Sequence, residues 1–184
     1  MIRMSVENLY MSHWGEPSRR AEFYVAESPM AILKWNAEDN PEGVALYATA
    51  GMSDASMRGH NPKHRLELFC GLLPEQDDVA RPLAMLATYP AREDTALDHG
   101  DTVRLVDPLW ESTDMLAFLV VRPLSGFLPS LELADEVHVE FMQALPLFES
   151  ELTFKSQHGA EALLRHWEEA RVPFWDPRRS PEPP

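Results

Sequence analysis

The sequence predicts an α+β domain: a mixed or mainly antiparallel sheet with helices packed against it. Three observations carry this. Several short apolar runs are separated by turn signals, as strands are. Two stretches, about 77–89 and 156–171, place apolar residues at helical spacing on one face. Strands and helices do not alternate as regular βαβ units would require.

Residues 1–20 are polar and loosely patterned, a helical or irregular arm. Residues 21–26 and 30–36 alternate apolar and polar side chains as strands do, with Ser28-Pro29 as a turn between them. Asn40-Pro41-Glu42-Gly43 is a second turn signal, followed by a strand over 44–50 and a loop opened by Gly51. Residues 64–73 (HRLELFCGLL) are apolar enough for a central strand. Asp77 and Asp78 suit the start of a helix that Tyr89-Pro90 should end, because a residue before proline avoids helical angles. Short strands follow at 102–106 and 115–122. Residues 123–136 read as a connection, and 137–147 as the last strand. Glu149 and Glu151 then sit in an acidic turn. The closing helix, 156–171, carries Ala160, Leu163, Leu164 and Trp167 as its apolar stripe. The proline-rich tail, 173–184, should not fold alone: Phe174 and Trp175 are expected to dock, and 178–184 to be disordered. With no repeat and no linker, one domain is expected: an arm and first strands (1–43), a core (44–172) and this tail.

At 184 residues the chain can bury a sizeable core, and its 45% hydrophobic and 25% charged residues are ordinary for a globular protein. No run reaches the ~18 apolar residues of a membrane span, and the N-terminus lacks a secretory h-region. The single cysteine, Cys70, lies in an apolar run, so a reducing, cytoplasmic location is expected. The net charge of −14 is concentrated: residues 93–151 hold thirteen carboxylates against Arg104 and Arg122, a net of −11. Such a block repels phosphate backbones, which argues against nucleic acid, and attracts a basic partner.

Catalytic signatures are missing. There is no GxxxxGK, GxGxxG or GxSxG. His60 and His64 have HxxxH spacing, but Pro62 prevents a metal-binding helix. His99 and Asp101 could form an acid–base pair, though Gly100 makes a turn the simpler account. His138 and Glu140 share one face of a strand. Glu149 and Glu151 could bind a cation, or simply interact with the nearby helix start.

A series of short motifs then falls in a familiar order. These are Thr49-Ala-Gly51-Met52-Ser53 with Met57, Arg65-Leu-Glu67, Leu86-Ala87-Thr-Tyr89-Pro90 and Leu97-Asp98-His99-Gly100. Further on come Phe141-Met-Gln143-Ala-Leu145-Pro146-Leu147, Glu151-Leu152 and Gly159-Ala-Glu161-Ala-Leu163-Leu164. Over about 44–172 this resembles the suppressor-of-fused domain family in its bacterial single-domain form. Two departures stand out. Bacterial relatives usually carry glycine then histidine after Leu97, where this chain has Asp98-His99-Gly100. Gln76–Arg81 replaces tryptophans often found before the Leu86 helix.

The resemblance implies a non-enzymatic protein-binding module without cofactor, metal or catalytic residues. Bacterial members have been associated with immunity to polymorphic toxins, and the acidic block suits a basic toxin. The expected contact residues are Asp98, His99, Asp101, Glu111, Glu149 and Glu151. Two alternatives stay open: a small metal-dependent hydrolase using His99, Asp101 and the Glu149/Glu151 pair, and a scaffold subunit. The sequence leaves the oligomeric state undetermined.

Overall fold

The computed structural model describes residues 2–25, 28–123 and 127–182. In chain order the elements are α1 (Ile2–Trp14), β1 (Arg19–Val25), β2 (Ser28–Trp35), β3 (Ala45–Ala50), β4 (His64–Leu72) and α2 (Ala80–Arg92). Then come β5 (Thr102–Arg104), β6 (Met115–Val121), β7 (Leu131–Glu132), β8 (His138–Phe148), α3 (Glu149–His158) and α4 (Ala160–Ala170). The eight strands form one sheet in the order β1-β2-β3-β4-β8-β6-β5, with β7 beside β8. The β4–β8 pair is parallel and the other pairs are antiparallel, so the sheet is mixed, as expected.

Alternation along the strands sends the core to both faces. On one face, Val6, Tyr10 and Trp14 of α1 sink among Leu33, Trp35, Leu46 and Phe141. The arm is therefore a helix and a wall of the core. Only three buried residues four apart carry its stripe, so its periodicity is faint in the sequence. Tyr10 stacks on Trp14 at 5.2 Å and its hydroxyl donates to the Thr49 carbonyl at 3.1 Å. On the opposite face, Leu83, Leu86 and Ala87 of α2 cover Tyr47, Leu66, Leu68 and Met142. Leu163 and Trp167 of α4 return to the α1 face, over Ala117, Leu119, Leu145 and Leu147.

Several boundaries differ from expectation. Helix α2 continues through Pro90 to Arg92. Pro90 forgoes the amide bond to the Leu86 carbonyl, a cost offset by its burial among the residues that dock the helix. The acidic turn is the first turn of α3, where Glu149 and Glu151 favour the helix dipole and Glu151 accepts a bond from the Phe148 amide at 3.0 Å. The single closing helix is two, divided at Gly159, whose φ of 90° ends α3. The connection 123–136 contains β7 and a short 3-10 turn; its residues 124–126 lie outside the described set.

Two buried charges tie distant segments together. The Glu67 carboxylate is completely enclosed and accepts from the Thr49 hydroxyl at 2.5 Å, the Gly51 and Ser53 amides at 3.0 Å and the Ser53 hydroxyl at 2.6 Å. The motifs Thr49–Ser53 and Arg65–Glu67 are thus two halves of one hydrogen-bonded corner. Gly51 is needed there: its φ is 127°, and a Cβ would stand 3.1 Å from the Pro29 carbonyl. The second is Arg179, in the tail expected to be disordered. Its guanidinium donates to both Glu151 oxygens at 2.6 and 2.8 Å and to the Pro146 carbonyl at 3.0 Å. It lies 4.9 Å from the ring centroids of both Phe148 and Trp167. Charge pairing and cation–π contact hold the tail down where its sequence alone would not. Residues 183–184 of that tail lie outside the described set.

Candidate protein-binding surface

The strand directions divide the expected contact residues between two ends of the sheet. The starts of β4 and β8 lie side by side, His64 opposite His138, and β6 runs towards this end, finishing with Val121 opposite Gln143 of β8. The loop after Leu97 is fixed to this end: the Gly100 amide donates to the Val120 carbonyl and the Val120 amide to the Asp101 carbonyl, each at 2.8 Å. Within it, the Asp98 amide donates to the Asp101 carboxylate at 2.8 Å. Gly100 permits the turn with a φ of 88°.

Here Asp98, His99 and Asp101 come together with residues that the sequence did not connect to them. Arg122 donates to Asp98 at 2.6 Å and to Glu140 at 2.8 Å. The other Glu140 oxygen is 3.3 Å from His64 Nε2. The Arg122 amide donates to His99 Nδ1 at 3.0 Å, so the ring carries its hydrogen on Nε2 and donates it to Glu161 at 2.7 Å. His60, His64 and His138 stack in a column, with ring centroids 6.0 and 5.5 Å apart, and Glu132 pairs with His138. Partial burial would raise the Asp98 carboxyl, but the His99 amide and the Arg122 guanidinium outweigh it and hold it below the usual range.

Glu149 and Glu111 lie at the other end. Glu149 accepts from Arg104 at 3.1 Å beyond the start of β6, and Glu111 is exposed in the loop before that strand. Glu151 is not at the surface at all: its side chain is 1% exposed and bound to Arg179. It is removed from the contact set, because a carboxylate already satisfied inside the core cannot meet a partner. Arg122, Glu140 and His64 are tied to the loop by pairings the sequence does not announce: the loop bonds to β6 bring Arg122 there, the antiparallel β6–β8 pair brings Glu140 to Arg122, and the parallel β4–β8 pair brings His64 to Glu140.

This arrangement has little catalytic reach. His99 and Asp101 are separated from Glu149 by the seven-residue length of β6, roughly 20 Å at strand rise. Among the described residues, no three His, Cys, Asp or Glu side chains are grouped to hold a metal. Burial pushes the Cys70 thiol up to about 12, far from a reactive thiolate. What the surface offers is a rigid array of charged groups.

The family model for suppressor of fused protein (SUFU) matches residues 26–180. The chain belongs to the suppressor of fused family. Against "Immunity protein YqcF" of Bacillus subtilis, this SUFU chain is 26% identical over 150 residues, 78% of each chain. A solved SUFU homologue from Neisseria gonorrhoeae is 21% identical with a TM-score of 0.73, covering 97% of this chain and 95% of that one. The Sufu–Fu complex structure superposes at a TM-score of 0.65 and 15% identity, over 98% and 90% of the two chains. Drosophila Suppressor of Fused gives 0.69 and 15%, over 98% of this chain and half of the Drosophila one. These likenesses establish the same fold. Among the described residues no helix is long and apolar enough to cross a membrane.

Proposed function

We propose that this SUFU domain is a non-catalytic immunity protein that neutralises a basic polymorphic toxin by covering it. The observation that carries the reading is the alignment with an immunity protein over 78% of both chains. The surface chemistry supports it: with a net charge of −14, Asp107, Glu111 and Asp114 have no cationic partner among the described residues. Unpaired surface carboxylates accelerate encounter with a basic protein and oppose binding to nucleic acid. That one relative was solved as the Sufu–Fu complex is consistent with a protein partner.

The test is co-expression with a toxin encoded beside this gene. Wild-type protein should restore growth and bind the toxin. Replacing Asp98, Asp101 and Glu111 with lysine should slow association and weaken binding at least ~10-fold, an effect that fades with added salt. Unchanged binding by the triple variant would remove these three carboxylates from the explanation.

A further inference from the structure

On the α2 face of this acidic protein, carboxylates border exposed apolar surface. A cleft of about 480 Å³ opens on the α2 face between β1, the start of α2 and the segment following β5. Phe23, Met85, Leu105 and Leu109 give it apolar walls, and Asp77, Asp78 and Asp107 stand among its lining residues. Arg81 is the one cation in that lining. Asp77 is occupied: it binds Lys34 at 2.6 Å, Arg19 at 2.6 Å and the Tyr47 hydroxyl at 3.0 Å. The Asp78 and Asp107 carboxylates make no hydrogen bond or ion pair among the described residues.

The lip beside Asp107 is firmly held. The Leu105 amide donates to the Leu116 carbonyl and the Leu109 amide to the Met115 carbonyl, both at 2.8 Å. Leu109 and Trp110 are buried, yet Val106 between these anchors is 90% exposed. A bent segment pinned at both ends therefore projects an aliphatic side chain into water next to a free carboxylate. Ordinary surfaces expose single apolar residues without consequence. Here the valine is held between Leu105 and Asp107, which line a concave, partly apolar cleft with free carboxylates at its margin, the composition of a docking site.

We infer that this cleft receives a basic segment of the protein partner: an apolar side chain fills the space between Phe23 and Leu109, and flanking lysines or arginines pair with Asp78 and Asp107. This rests on the proposed immunity role and locates its principal contact. The choice of occupant follows from charge. An acidic peptide would meet two unpaired carboxylates, and an uncharged apolar one would leave them partly desolvated without partners. The Asp98 cluster lies at the other end of the sheet, so it serves to attract the partner rather than to seat it.

The probe is a 15-residue peptide of alternating leucine and lysine, titrated into the full chain and followed by calorimetry and by backbone amide shifts. Wild type should bind it, with shifts centred on Val106, Asp107 and the first turn of α2. The paired change Asp78→Asn and Asp107→Lys should weaken binding at least ~10-fold, Val106→Ser should weaken it further, and Asp98→Asn should leave it within about twofold. A glutamate version of the peptide should not bind. Absence of binding to the lysine peptide, equal binding by the paired variant, or shifts centred on Asp98 would overturn the assignment. Toxin neutralisation separates the two ideas. If the paired variant still neutralises, the cleft is wrong and the immunity role stands. If wild type neutralises nothing while the peptide binds at Val106, the immunity role falls and the cleft stands.

Discussion

Replacing Arg179 with alanine should destabilise the whole domain, although the residue lies in a proline-rich tail. Both members of the Arg179–Glu151 pair are within 2% of complete burial. Alanine would remove two charged bonds of 2.6 and 2.8 Å, a bond to the Pro146 carbonyl, and the ring contacts to Phe148 and Trp167. Glu151 would keep only the Phe148 amide as donor. Breaking one side of a buried pair typically costs about 3–5 kcal/mol, because the remaining charge is left uncompensated. At this chain length that corresponds to a Tm lower by roughly 6–20 °C. The assay is reversible thermal unfolding followed by calorimetry. A double change, Glu151→Gln with Arg179→Met, should recover most of the loss, since it removes the stranded charge and keeps the volume. A loss under ~1 kcal/mol for Arg179→Ala would refute the reasoning and return the tail to a solvated appendage.

Trp14→Ala should cost about 3–5 kcal/mol in urea unfolding, because it empties a site shared by Tyr10, Trp35 and Phe69; a change below ~1 kcal/mol would mean that α1 is dispensable. Burial raises the Glu67 carboxyl even though Ser53, Thr49 and Gly51 donate to it. The folded state thus holds this proton more tightly than the unfolded chain, and stability contributed there declines as pH rises from the ordinary glutamate value towards the raised one. Glu67→Gln should flatten that decline in urea midpoints measured across pH 4–8, and an unchanged slope would contradict it. Asp98 has the opposite sign: its lowered carboxyl contributes stability that is lost as pH falls through the folded value, and Asp98→Asn should flatten the acid limb below about pH 4.

The two central strands β4 and β6 were readable because Met115–Val121 is a continuous apolar run and His64–Leu72 is rich in apolar residues, whereas β7 was read as connection and the expected turn at Ser28-Pro29 lies inside β2. Features set by tertiary context were not readable. The sequence of α1 is only weakly amphipathic, and its helix is stabilised by aromatic packing against strands that come later in the chain. Pro90 carries a local signal to stop that its own burial overrides. Glu151 and Arg179 each look like surface charges, since no sequence pattern announces a pair 28 positions apart. The acidic block was visible in composition, but its division between two ends of the sheet follows from strand direction. Glu140 joins Asp98 through Arg122 across the antiparallel β6–β8 pair, and His64 joins them only because β4 and β8 are parallel.

That parallel pairing has a kinetic corollary. The meander β1–β4 can assemble from hairpin neighbours, whereas β4 must wait for a strand whose matching residue, His138, lies 74 positions beyond His64. Until then the inner edge of β4 has unpaired amides and carbonyls, flanked by Leu66, Leu68 and Phe69. Closing so long a loop is entropically slow, and an open apolar edge is a template for intermolecular association. Refolding yield should therefore fall with protein concentration during the interval before β8 arrives.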